Sequence, residues 1–329
     1  MTKKTTPSRS FSRKSYVCDA HIDTLSKMLK FGWDTFADIP ADSHVTPDRL
    51  RRSAVDVAVF AIFTEKYEQA SPPPARTLRM IDMAYSIAEK HSRWLELATN
   101  MSEINKARRN GKTAIILAVE NGIAIGKDLG LLRNYHRLGV RLMSIAWNHR
   151  NLLGDGVYHL RKRRGLTSFG REAISEMERL GMIVDVSHLN EKTFWDVVDV
   201  AKKPFVATHS NAISICKSPR NLNDSQIKAI SERGGFIGLN FCTAFLDDSY
   251  EASIDDVVKH ALHIAKVGGI KVLAIGSDYD GIEDTPRGLE HIDKMGRLVT
   301  ALEKAGFSRA DIDAITHGNF LRVFREVCG

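Results

Sequence analysis

Six residues able to hold or serve a metal ion stand where a strand–helix chain would end its strands: His21, Asp23, Glu120, His188, His209 and Asp278. His21-Ile22-Asp23 follows the apolar run Tyr16-Val17-Cys18, and Glu120 closes Ala114-Ile115-Ile116-Leu117-Ala118-Val119. His188 comes after Met182-Ile183-Val184-Asp185-Val186, His209 after Phe205-Val206-Ala207, and Asp278 after Val272-Leu273-Ala274-Ile275. One histidine after a strand is ordinary. Five strand ends that all finish in imidazole or carboxylate are hard to explain by packing. Zinc takes both ligand types, and a two-metal site sets its ions about 3.5–4 Å apart across a shared ligand. His21 and Asp23 lie two residues apart, on one face of a regular strand, and can grip one ion. His188 and His209, from neighbouring strands, can grip a second, and Glu120 carries the two oxygens a bridge needs. The pattern points to a metal-dependent hydrolase.

Taken singly, these residues have plainer explanations. His188 and His209 read alone as hydrogen-bonded core histidines, and Asp278 as the cap of a following helix. Glu120 is harder to dismiss, because an unpaired carboxylate after an apolar strand is costly to bury. Together they support one another.

The elements that must position them are legible as eight apolar, β-rich runs: 16–20, 55–63, 113–119, 140–146, 182–186, 205–207, 236–239 and 272–275. Most are short and continuously hydrophobic, as in parallel strands buried on both faces. Between them, 77–91 and 254–267 carry apolar residues at helical spacing, and Asn190 precedes a helix start at Glu191-Lys192-Thr193. Strands alternating with helices predict an α/β fold, a (β/α)8 TIM barrel, with the chemistry at the C-terminal ends of its strands. Pro72-Pro73-Pro74 reads as a stiff loop after the second strand. No repeat or composition shift marks a second domain. Residues 15–329 are expected to form a single catalytic barrel behind a basic tail at 1–14.

Composition narrows the function classes. The 329 residues are 43% hydrophobic and 26% charged, ordinary for a soluble globular chain, with no run of the roughly 20 apolar residues a membrane span needs. Lys+Arg of 47 against Asp+Glu of 40 leaves +7. Lys3, Lys4, Arg9, Arg13 and Lys14 carry much of that excess and read as a tail rather than a nucleic-acid-binding domain. The cluster Arg161-Lys162-Arg163-Arg164 has no interleaved aromatics and reads as a solvated loop. Neither nucleic acid nor membrane is expected as a partner. Cys18, Cys216, Cys242 and Cys328 show no C-x-x-C spacing, so any metal relies on imidazole and carboxylate. With no secretory h-region, the expected location is cytoplasmic.

The ordered segments Asp19-Ala20-His21-Ile22-Asp23-Thr24, Ala118-Val119-Glu120-Asn121-Gly122 and Val184-Asp185-Val186-Ser187-His188 resemble the membrane dipeptidase, or renal dipeptidase, family. So do Thr208-His209-Ser210-Asn211-Ala212, Pro219-Arg220-Asn221-Leu222 and Gly276-Ser277-Asp278-Tyr279-Asp280-Gly281, so that the likeness spans nearly the whole chain. The resemblance implies two Zn2+ per subunit, one on His21 and Asp23, the other on His188 and His209, with Glu120 bridging. It implies that Arg220 holds the terminal carboxylate of a dipeptide and that Asp278 handles protons around the tetrahedral intermediate. Attack by a metal-bridging hydroxide would then cleave the peptide bond of dipeptides with a free C-terminus. Relatives also imply a homodimer.

The chain departs from its relatives in places. Some carry Thr-His where it reads Ala146-Trp147, a histidine thought to polarise the scissile carbonyl. Either His149 takes over, or the metals suffice and Trp147 shapes the pocket. Cys242 stands where some relatives have Tyr. An amidohydrolase-like enzyme acting on N-acyl amino acids, lactones or other small amides is therefore the alternative. A catalytically silent binding protein ranks last, because every proposed ligand is retained.

Overall fold

The computed structural model describes residues 16–65, 72–158 and 164–329. The basic tail 1–14 and Arg161, Lys162 and Arg163 of the basic cluster lie outside the described residues.

Among the described residues there are eight strands: β1 (Val17–Ile22), β2 (Val55–Phe63), β3 (Leu95–Leu97), β4 (Thr113–Glu120), β5 (Val140–Ser144), β6 (Ile183–Asp185), β7 (Ile237–Leu239) and β8 (Leu273–Ile275). Seven of them pair in parallel in the order β6-β5-β4-β2-β1-β8-β7, and β3 pairs with β4 off this path. The expected run 205–207 is not a named strand. It nonetheless fills the gap between β6 and β7 through parallel bridges Asp185–Val206 and Ala207–Ile237. Val186 N donates to Val206 O at 2.7 Å, and Ala207 N to Phe236 O at 2.9 Å. This sixth stave completes a TIM-barrel-like ring with helices outside it.

β3 escaped the sequence reading because Leu95-Glu96-Leu97 is too short to show a period. It pairs the first residues of β4, below the place where β5 joins the same strand. The proline run is also not a loop: the helix Pro73–Lys90 begins within it, with Pro72 as its cap. Proline suits a first helical turn because no backbone donor is needed there.

The core forms two buried clusters. The inner one takes alternate strand residues, among them Cys18 and Ala20, Val57 and Val59, Ala114, Ile116 and Ala118. Phe320, Val323 and Phe324 of the helix Asn319–Cys328 join it. The outer cluster takes the other face, for example Phe60, Ile62, Leu117 and Val119, packed against the helices. Continuing the inner alternation along β4 from 114 to 118 puts Glu120 inside at the mouth. β1 needs an adjustment. Asp19 pairs with Ala58 and Ile22 with Phe60, so β1 carries one extra residue there. That bulge shifts the phase of the strand and lets His21 and Asp23 join Glu120.

Candidate metal centre

Five of the expected residues meet at the barrel mouth, each buried. Ligand atoms of His21, Asp23 and Glu120 lie within 4.8 Å of one another, and so do those of Glu120, His188 and His209. Glu120 belongs to both groups. Its Oε2 is 3.6 Å from His21 Nε2, while its Oε1 is 3.1 Å from His188 Nε2 and 3.8 Å from His209 Nε2. His21 Nε2 is 3.2 Å from Asp23 Oδ2. One carboxylate thus turns one oxygen to each group of ligands.

Whether these residues fit a metal can be tested on the histidine protons. Asn148 Oδ1 lies 2.9 Å from His188 Nδ1, so that nitrogen carries the proton. Thr208 Oγ1 donates to Asp185 Oδ2 at 2.6 Å and accepts from His209 Nδ1 at 2.9 Å. Both imidazoles therefore present bare Nε2 lone pairs, and these nitrogens stand 2.7 Å apart. Two lone pairs so close repel unless a cation lies near both. Among the described residues His21 Nε2 also lacks a hydrogen-bond partner. The donor set fits a metal, and the outer hydrogen bonds fix the tautomers that ligation needs.

The electrostatics of His188 and His209 agree. Burial holds His188 down at about 3 and His209 well below its ordinary value, so both stay neutral, the form that binds metal. Burial also acts to lower His21, but Asp23 and Glu120 outweigh it and raise it. Burial would raise Glu120, yet the His188 and His21 imidazoles that face its oxygens outweigh it and hold the carboxylate below its ordinary range. Burial pushes Asp278 up to about 8, with Asp23 and Glu120 adding to the effect against His21.

His21, His209 and Asp185 also lie close enough to share an ion. Asp185 is already engaged, however: Oδ1 accepts from Ser187 N at 2.9 Å and Thr208 N at 3.1 Å, and Oδ2 from the Thr208 hydroxyl. It positions the histidines through Thr208.

The remaining expected residues divide. Asp278 joins the site, its Oδ2 accepting from Asn240 Nδ2 at 2.9 Å. Arg220 is 4% exposed, donates through Nη2 to His209 O at 3.1 Å and lies 5.4 Å from the Phe245 ring centroid. Among the described residues no carboxylate is in ion-pair range of it, and its Nε has no partner. Trp147 stands 5.8 Å from His188 and 4.9 Å from Phe63, ring to ring. These residues line a cavity of about 780 Å3 with Asp23, Glu120 and His188. His149 does not join them; it is exposed, and Asn148 lines the cavity instead.

The backbone at the mouth is unusual. Asn121, His188 and Asp278 take φ of 77°, 67° and 64°, left-handed values that non-glycine residues seldom adopt. At Gly281 a Cβ would lie 2.3 Å from Asp23 Oδ2 and 2.5 Å from Asp278 Oδ1, so two carboxylates crowd the space a side chain would need. Asn148, Thr208, Asp185, Asn240 and Gly281 went unforeseen as functional. One signal was available: Asp185, an acid inside the apolar run 182–186, had to find partners.

Comparison with known proteins follows the same lines. An uncharacterised dipeptidase of Schizosaccharomyces pombe is 33% identical over 300 residues, 86% of this chain and 72% of that protein. The crystal structure of dipeptidase AC, a metallopeptidase, superposes with a TM-score of 0.88 at 27% identity, covering 96% of this chain and 99% of that one. A Rhodobacter sphaeroides metallopeptidase, liganded with a phosphinate mimic of the dipeptide L-Ala-D-Ala, gives 0.87 at 27% identity over 95% and 99%. Among the described residues no helix is long and apolar enough to cross a membrane. The profile of the membrane dipeptidase family, peptidase family M19, matches residues 7–328, and with that relative and these folds the chain belongs to this family of metallopeptidases.

Proposed function

We propose that the chain is a zinc-dependent dipeptidase holding two ions, one on His21 and Asp23, the other on His188 and His209, with Glu120 shared. The observation that carries this reading is the division of Glu120, one oxygen facing each group of ligands. Bound there, zinc would supply a Lewis acid that polarises the scissile carbonyl and acidifies water. The chain's own residues do the rest. Asp278, held by Asn240, receives a proton and passes it to the departing amine. Arg220, buried and with no carboxylate partner among the described residues, takes the free C-terminal carboxylate of the substrate, a task suited to a permanently charged guanidinium. Trp147 shapes the wall beside His188, and its place in the cavity supports the alternative of N-acyl amino acids or other small amides as substrates. A cytoplasmic homodimer, with residues 15–329 forming one catalytic domain, completes the reading.

Arg220→Met tests it. Dipeptides should lose about 1.5–3 kcal/mol in kcat/KM, as for a hydrogen bond to a charged group. Dipeptide amides should be poor substrates of the parent enzyme and lose little more. Equal losses for both classes would make Arg220 structural. N-acyl amino acids assayed on the same batch decide between the substrate readings.

A further inference from the structure

Phe63 closes β2 and pairs in register with Glu120 on β4. It shares the inward face of Val57 and Val59, which puts its ring at the mouth beside that carboxylate. Trp147 follows β5, the strand on the other side of β4. The two rings meet with centroids 4.9 Å apart and planes at 57°. Trp147 also lies against His188, 5.8 Å ring to ring. Both side chains are half-buried, and both line the large cavity. Two aromatic faces set at such an angle make an apolar corner, and a third ring can complete it by edge-to-face and offset contacts.

In the ring of staves 205–207 is the sixth and β2 the second, so the two face each other across the mouth. Arg220 is tied to the sixth by its bond to His209 O. The Phe63–Trp147 corner therefore lies across the candidate metal centre from Arg220. A dipeptide with its C-terminal carboxylate on Arg220 and its scissile bond over the metal ligands has one residue left to place. Its two Cα atoms are about 3.8 Å apart, so the N-terminal side chain starts over the centre and meets that corner. The cations nearby are engaged: Lys27 Nζ is 3.1 Å from Asp280 Oδ1, and Arg76 Nε donates to Phe63 O at 3.4 Å. The exposed Lys30 lies over the Phe31 ring, 5.6 Å from its centroid. We propose that Phe63 and Trp147 form the pocket for the N-terminal side chain and select dipeptides that begin with an aromatic residue. The direction of the substrate rests on the dipeptidase reading, whereas the corner stands on the geometry alone.

Assays of the metal-loaded protein on Phe-Ala, Gly-Ala, Glu-Ala and Lys-Ala test the pocket. kcat/KM for Phe-Ala should exceed each of the others by about tenfold or more, the scale on which an apolar pocket discriminates. For variants the readout is the ratio of Phe-Ala to Gly-Ala, because it cancels any loss of folded or metal-loaded protein. Trp147→Ala and Phe63→Leu should each lower that ratio several-fold. Phe63→Leu removes the ring but keeps an apolar side chain, and serves if Trp147→Ala does not fold. A parent ratio near one, a preference for Glu-Ala or Lys-Ala, or an unchanged ratio in either variant would overturn the proposal. Calorimetry with non-hydrolysable phosphinate mimics of Phe-Ala and Gly-Ala reads the same pocket without turnover. Tighter binding of the Phe-Ala mimic by about tenfold, with no dipeptide turned over, sinks only the dipeptidase reading. Turnover without discrimination sinks the pocket and leaves that reading standing.

Discussion

At its N-terminal end the barrel interior is filled by Cys18, Val57, Ile116, Leu142 and Ile183, with Phe320 and Phe324 packed beneath. At the C-terminal end the buried side chains are Asp19, His21, Glu120, Asp185, Thr208 and Ser277, each tied to others by hydrogen bonds or close contacts. The backbone changes with the chemistry. Above, a bulge in β1 and left-handed backbone at His188 and Asp278 turn side chains toward one point. Such backbone costs of order 1–3 kcal/mol per residue and persists where the surroundings hold it. The apolar end therefore supplies the stability that the polar end draws on, and the two should respond differently to substitution.

The largest loss of turnover should follow Glu120→Gln. A neutral amide bridges two dications poorly, and forfeiting several kcal/mol of charge stabilisation lowers kcat/KM on the order of 10³-fold or more. Metal content by mass spectrometry should fall with it; full metal and full activity would remove Glu120 from the shared position. Asp278→Asn keeps shape and hydrogen bonding without a titrating carboxyl. Its kcat should drop by about 10²–10⁴-fold, and one limb of the pH–rate profile should vanish. Both metals should stay, since Asp278 lies outside the ligand groups; loss of an ion would make it a ligand.

A smaller effect is expected one shell outward. Thr208→Val breaks the link from Asp185 to the histidines and should weaken metal binding by about 10–100-fold, measured by competition with a chelator. Unchanged affinity would show that packing alone orients His209. The least change in turnover belongs to the apolar end. Phe320→Ala should cost about 3–5 kcal/mol of stability in denaturant, with kcat nearly unchanged where the protein stays folded. A comparable loss of kcat would show that the two ends are coupled.

The same contrast explains how much was legible in the sequence. β2 and β4 are long, regular and apolar, so their limits and the direction of Glu120 follow from period and strand length alone. The closing stave at 205–207 reads correctly as an apolar run, but it is too short for more than a bridge on either side. β3 has no pattern to read. The candidate metal-site residues are visible because imidazole and carboxylate are rare at strand ends. Asn148 and Thr208 are not, because polar groups of their kind occur in any loop and only the fold sets them against His188 and His209. His149 shows the converse: it lies two residues from Trp147 along the chain, yet its side chain is exposed.

The sixth stave makes the ring a barrel with a seam. Backbone bonds such as Val206 N to Val184 O and Ala207 N to Phe236 O stitch it, and His188 and His209 stand just past that stitching. An ion held by both would act as a hoop across that joint, and its binding free energy would add to the closure of the ring. Stripping the metal should therefore leave its first mark in hydrogen exchange rather than in secondary structure. The amides of Val206 and Ala207 should lose protection while those of β2 and β4 keep theirs.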